Sequence, residues 1–354
     1  MDTEREGGLV DTRSGRLVRR DGAYSLSIIV PLYNEAGNVA ELLRRIADVV
    51  AALPDPPATY EVIAVDDGSR DATRGLLLDA LERDAHLRVI ALSRNFGHQI
   101  AATAGIDAAR GDAVVLMDGD LQDPPELIGA FIERFRAGYD VVYATRHRRS
   151  GESRFKVLTA AAFYRIVRRL TSVSIPVDTG DFRLMSRRVV QVLQRSRERH
   201  RFIRGLVSWV GFNQTGVEYD RDPRFSGETK YPFSKMLRFA LDGITAFSEI
   251  PLRFASYFGF FVSIVAFIVG IFEIGLRIFT GYNLPGYTSL IFAILFLGGV
   301  QLIGIGILGE YIGRIYDEIK GRPLYLVEES AGDGLAVRVA SEPSVTPGTR
   351  YERT

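Results

Sequence analysis

The 354-residue chain has no cysteine and only four histidines, His86, His98, His147 and His200. Disulfides and thiolate zinc sites are therefore excluded, and the histidines are scattered rather than set at metal-ligand spacing. Charge of either sign is not in excess: 44 Lys and Arg face 43 Asp and Glu. That balance argues against a nucleic-acid binder that works by bulk electrostatics. No G-x-x-x-x-G-K-[ST] occurs, and no G-x-G-x-x-G follows the first apolar run, so a P-loop is absent and a dinucleotide fold is disfavoured. The first 22 residues lack the apolar core of a secretory signal. They read as a disordered arm whose Arg13, Arg16, Arg19 and Arg20 are solvated or meet anionic lipid. From Glu329 onward Gly, Ser, Pro, Thr and charge dominate, which reads as a disordered tail.

What is present begins at Leu26. Short, β-branched-rich runs recur at Leu26–Pro31, Tyr60–Val65, Leu87–Leu92, Ala113–Met117 and Tyr139–Ala144. Helix-like stretches near 38–52, 71–84, 98–109 and 125–137 separate them. Runs of this kind suit strands buried on both faces, and the alternation predicts an α/β fold: a mostly parallel sheet with helices on both sides. Ligands of such sheets bind at the carboxyl ends of the strands.

Those ends are polar. The runs close in Pro31-Leu32-Tyr33-Asn34-Glu35, Asp66-Asp67-Gly68-Ser69, Ser93-Arg94-Asn95-Phe96-Gly97 and Asp118-Gly119-Asp120-Leu121-Gln122-Asp123. Four such ends on one edge make a cleft crowded with carboxylates, which repel unless a cation sits among them. Oxygen donors without Cys or His point to Mg²⁺ or Mn²⁺. Asp118 and Asp120 are the candidate metal ligands: two carboxylates one residue apart, just past a strand, reach an ion that bridges a diphosphate.

The second half is different. Residues 153–172 read as a basic amphipathic helix, either an ordinary domain helix or one resting on a membrane. Phe233 to Pro251 reads as an interfacial helix. Phe254 to Phe279 and Tyr287 to Ile312 each exceed the roughly 20 apolar residues a bilayer span needs. The connecting Thr280 to Gly286 has no Lys or Arg, whereas Lys235, Arg238, Arg253, Arg314, Lys320 and Arg322 flank the pair. By the positive-inside rule both termini are cytoplasmic. The expected organisation is an arm over 1–22, a cytoplasmic catalytic domain over 23–232, an interfacial helix over 233–252, a two-helix transmembrane hairpin over 253–315, and a C-terminal segment with its tail over 316–354.

Taken in order, the four strand-end motifs followed by Asp178-Thr179-Gly180-Asp181-Phe182-Arg183-Leu184-Met185 resemble the GT-A fold, family 2 glycosyltransferases. With two C-terminal spans the chain is similar to the polyisoprenyl-phosphate glycosyltransferases, the group of bactoprenol glucosyltransferases and dolichol-phosphate mannose synthases. The likeness covers about residues 25 to 325. It implies a Rossmann-like GT-A domain that moves a hexose, UDP-glucose being the first candidate donor, onto polyprenyl (undecaprenyl) phosphate with inversion. Pro31, Tyr33, Glu35, Asp66, Asn95, Asp118 and Gln122 would bind the nucleotide-sugar. Asp120, with Asp118, would hold the metal, and Asp181 would be the acidic group at the acceptor. Arg146, Arg204 and Lys230 would meet phosphate. The resemblance also implies an integral protein of a bacterial-type inner membrane, with a homo-tetramer among the family's forms. A processive polysaccharide synthase and a non-catalytic membrane scaffold are the competing readings. The only tryptophan, Trp209, lies in no Q-x-x-R-W segment, and the carboxylate set is intact.

Overall fold

A computed structural model describes residues 17–146, 179–199, 201–219, 250–280 and 286–332. They fall into two compact units, one holding the residues up to 219 together with 322–332, the other holding 250–321. The expected helix over 153–172, most of the interfacial helix, Asp178 and Lys230 lie outside the described residues.

The first unit follows the alternation of the sequence. Strands β1 (Ser25–Leu32), β2 (Thr59–Asp66), β3 (Leu87–Leu92), β4 (Ala113–Leu116) and β5 (Val141–Arg146) are separated by helices α1 (Val39–Ala51), α2 (Thr73–Leu81), α3 (His98–Ala108) and α4 (Leu127–Arg136). The strands are apolar because both faces are covered. Val39, Leu42 and Ile46 of α1, Leu77 of α2 and Phe131 of α4 pack on one face. Ala101 and Ile106 of α3 pack on the other, with Val189 and Leu193 of α5 (Arg187–Arg195) and Ile203 and Leu206 of α6 (Ile203–Val210).

Three further strands complete the sheet. They are β6 (Thr179–Ser186), β7 (Gln214–Tyr219) and β8 (Val327–Ala331), and the order is β7-β5-β6-β4-β1-β2-β3-β8. β4, β1, β2 and β3 are mutually parallel. β6 runs antiparallel between β4 and β5, and β8 lies antiparallel on β3. The order reverses at β1, which lies between β2 and β4. Such a reversal opens a crevice at the carboxyl ends of the strands.

Two expectations about the ends of the catalytic domain are corrected. The arm is anchored before residue 22: Arg20 donates to Phe135 O and Tyr139 O, and 2.8 Å to Oδ1 of the fully buried Asp140. Ser186 Oγ and Arg188 bind the same carboxylate. The tail does not begin at Glu329, since β8 runs through Ala331. Arg74 of α2 pairs with Glu328 and Glu329 at 3.1 and 2.7 Å, and Tyr325 donates to Asp107.

The second unit contains α7 (Ile250–Thr280) and α8 (Tyr287–Ile319), 31 and 33 residues long. Within the described residues one stretch, Phe296–Ile319, is long and apolar enough to cross a bilayer. Apolar side chains are exposed around both helices, among them Phe260, Phe267 and Phe272 on α7 and Leu302, Ile305 and Ile312 on α8.

Candidate active site

The floor of the crevice is built by stitching loops together. Past β1, Asn34 takes a left-handed backbone (φ 55°); its N–H donates to Ser69 Oγ, and its Oδ1 accepts from Arg70 N. Glu35 N–H reaches Thr73 Oγ1 at 2.9 Å. These bonds tie the end of β1 to the end of β2. Asp66 is buried, and its Oδ1 accepts from Ser69 N–H. Asp67 points to the next loop and accepts from Phe96 N at 2.7 Å and Gly97 N at 2.9 Å. Burial raises the Asp67 pKa against those two bonds. Gly68 sits between them at φ 68°, where a Cβ would lie 2.5 Å from the Arg94 carbonyl carbon. The three strand ends thus form one bonded surface.

The chemistry-bearing groups meet beside it. In the β4–β6 ladder Leu116 lies opposite Arg183, so two residues further along Asp118 faces Asp181. β6 begins where β4 ends because the two strands are antiparallel. His98, the first residue of α3, projects its Nε2 to 3.3 Å from Asp118 Oδ1 and 3.3 Å from Asp181 Oδ2. Gln99 Nε2 donates to Asp181 Oδ2 at 3.1 Å, and Arg204 Nε of α6 to Oδ1 at 2.7 Å. Arg183 lies 3.9 Å from the same oxygen. Gly119 keeps Asp118 and Asp120 one small residue apart, and a Cβ there would lie 2.3 Å from Leu32 Cδ2. Asp120 is nearly buried, and its Oδ1 accepts from Gln122 N–H at 3.2 Å. Tyr219 donates to the buried Asp123 and closes the far side of this loop.

The electrostatics separate the two facing carboxylates. Burial lifts Asp118 to about 6; Asp181, Asp123 and Asp120 push the same way, while His98 opposes. Burial also favours the neutral form of Asp181, but the His98 bond and the charges of Arg204 and Arg183 outweigh it and hold this carboxyl well below the usual range. Burial disfavours a charged His98, yet Asp181 and Asp118 raise it to about 9. Burial pulls Arg183 down to about 10. Asp181 is thus an anion caged by donors, whereas Asp118 has His98 alone set against burial and three neighbouring carboxylates.

The ligand atoms of His98, Asp118 and Asp181 lie within 4.8 Å of one another, and such a group can hold a metal ion. A hard cation fits this edge on chemical grounds. Asp118 Oδ1 is buried without a hydrogen bond, and the oxygens of Asp181 are already engaged by Gln99 and Arg204. Crowded carboxylate oxygens are the donors that Mg²⁺ and Mn²⁺ prefer.

The sequence-derived residues are brought together in large part. Pro31, Tyr33, Glu35 and Asp66 line the ends of β1 and β2, with Pro31 and Asp66 buried and Tyr33 exposed. Asp118, Asp120, Gln122, Asp181 and Arg204 share the neighbouring end of β4 and β6. Asn95 is exposed on the loop after β3. Arg146 ends β5, and its side chain lies outside the described residues. Arg204, expected at phosphate, is bonded to Asp181. The histidines are not all remote from the carboxylates: His98 is at their centre, and Gln99 beside it. The signal was the place of Gly97-His98-Gln99, at the first turn of a helix that opens on the ligand edge of the sheet.

Residues 27–193 match the family model described as glycosyl transferase family 2. An uncharacterized glycosyltransferase of Synechocystis sp. is 49% identical over 307 residues, spanning 87% of this chain and 96% of that protein. The bactoprenol glucosyl transferase of Shigella phage SfII is 42% identical over 305 residues, spanning 86% and 98%. Among solved structures, glucosyl-3-phosphoglycerate synthase from Mycobacterium tuberculosis, in complex with Mn²⁺, UDP-glucose and phosphoglyceric acid, is 18% identical with a TM-score of 0.41. That likeness covers 63% of this chain and 78% of the other.

Proposed function

Since this chain belongs to glycosyltransferase family 2, we propose that it transfers a hexose, first of all glucose from UDP-glucose, to polyprenyl phosphate with inversion at the anomeric carbon. It is an enzyme of glycosyl transfer. Relatives 42% identical over most of the chain, from Shigella flexneri and its phage SfII, are bactoprenol glucosyl transferases, which supports a polyprenyl phosphate as the acceptor. The observation that carries the reading is the gathering of Asp66, Asp118, Asp120 and Asp181 at the crevice where the strand order reverses.

A lipid phosphate oxygen attacks the anomeric carbon, the bond from that carbon to the diphosphate breaks, and the nucleoside diphosphate leaves with the electron pair. A phosphate monoester has a second pKa of about 6, so the acceptor is largely ionised at neutral pH. Against its burial, Asp181 is held low by His98, Arg204 and Arg183, which makes it a weak proton acceptor. Its role is therefore to orient the acceptor or the sugar and to keep Arg204 in place. Asp66, Tyr33, Glu35, Pro31, Asn95 and Gln122 hold the nucleotide-sugar, and Arg146, Arg204 and Lys230 offset the charge of the two anionic substrates. Asp118 and Asp120 would hold Mg²⁺ or Mn²⁺, which supplies charge neutralisation to the departing diphosphate. α7 and α8 anchor the protein in the membrane with the catalytic domain on the cytoplasmic side, consistent with their length and exposed apolar side chains.

The test uses full-length protein in phospholipid vesicles with polyprenyl phosphate and a panel of nucleotide-sugars, read by mass of the lipid product. UDP-glucose should yield a lipid-phosphate-hexose, and a chelator should stop it. Asp120→Asn should lower turnover at least on the order of 100-fold with the thermal midpoint retained. Undiminished turnover of that variant removes the metal assignment, and no lipid product with any sugar removes the function.

A further inference from the structure

Gln99 is engaged at both ends of its amide. Its Nε2 donates to Asp181 Oδ2 at 3.1 Å, and its Oε1 accepts from the backbone N–H of Ile203 at 3.0 Å. A carboxylate only accepts and a backbone N–H only donates, so this one orientation of the amide satisfies both. Ile203 opens α6, whose first N–H groups have no partner within the helix. The residue before it, Phe202, provides no side-chain cap. Gln99 takes that place from a different helix. One residue later α6 carries Arg204, whose Nε reaches the other oxygen of Asp181 at 2.7 Å. The side chain therefore closes a loop of contacts: Asp181 to Gln99, Gln99 to the start of α6, and α6 through Arg204 back to Asp181.

We propose that Gln99 is a positioning residue for glycosyl transfer, aligning Asp181 directly and placing Arg204 by capping α6. The inference rests on the reading that Asp181 serves the reaction. A neutral amide is required: a shorter side chain would not span the two partners, and a carboxylate would meet Asp181 with like charge.

Two measurements test it. Steady-state kinetics on Gln99→Met, well below its thermal transition, should show kcat down roughly 10- to 100-fold with donor KM within about twofold. A role confined to holding the fold would lower the thermal midpoint and leave kcat of the folded enzyme alone. The second measurement needs no activity. Gln99→Glu should lower the thermal midpoint, and adding Asp181→Asn should restore part of the loss, because the new amide donates to the new carboxylate. A kcat within about twofold of wild type, a loss confined to donor KM, or thermal shifts that simply add each overturns the proposal. An inactive wild-type enzyme with non-additive thermal shifts would instead count against the functional reading and leave the contact standing.

Discussion

Asp118, just past the end of β4, and Asp181, on the adjacent β6, are the same residue type, and they are pushed in opposite directions. The difference lies in the partners. Asp181 has Arg204, Gln99, His98 and Arg183 around it, whereas Asp118 faces other carboxylates and His98. At this scale the backbone matters as much as charge. Gly68 combines φ 68° with a loop packed against the place where a side chain would begin. Gly68→Ala should cost about 2 kcal/mol, read as a lower denaturant midpoint at unchanged slope. It should also weaken nucleotide-sugar binding, because the loops after β2 and β3 would have to separate. The place of His98 and Gln99 at the first turn of α3 was legible, but their contact with Asp181 was not, since nothing in a single histidine or glutamine tells which strand end it will face.

Among the elements, the five strands and four helices of the first half appear where the apolar runs and their spacing put them. β6 is the element that decides the site. Its sequence, Thr179–Ser186, holds Asp181 and Arg183 among apolar residues, and all eight are buried. Only its antiparallel pairing to β4 brings Asp181 to Asp118. At the opposite side of the sheet β8 covers the edge of β3. The ladder, rather than the ion pairs of Arg74, should hold it there. Arg74→Ala should cost less than about 1 kcal/mol, because the pairs with Glu328 and Glu329 are partly exposed. Ending the chain at Arg322 should lower the thermal midpoint and raise light scattering on heating, since an uncovered strand edge invites pairing with another chain.

For the molecule as a whole, the absence of cysteine provides a test of topology. Asn283 lies in the segment between α7 and α8, and Asp79 is exposed on α2. If both helices span the membrane with the catalytic domain inside, Asn283→Cys should react with an impermeant maleimide on intact cells. Asp79→Cys should react only after permeabilisation. Equal labelling of the two before permeabilisation would remove the hairpin arrangement. Retention of the protein in carbonate-washed membranes is expected on the same reading, because apolar helices of 31 and 33 residues keep their backbone bonds internal.

The sequence alone determined the α/β alternation, the polar strand ends and the family likeness. Apolar period, turn residues and motif order are local properties, and they survive in any reading of the chain. It also marked Asp118, Asp120 and Asp181 as the carboxylates to watch. Tertiary structure decided the rest: that β6 inserts against β4, that β8 extends the sheet past residue 329, that Arg20 pins the arm, and that His98 and Gln99 join the carboxylates. Each of these depends on strand pairing or helix docking between residues far apart in the chain. Such contacts follow from the packing of whole faces and leave no local signature, so the partners of Asp181 became visible only when the sheet was assembled.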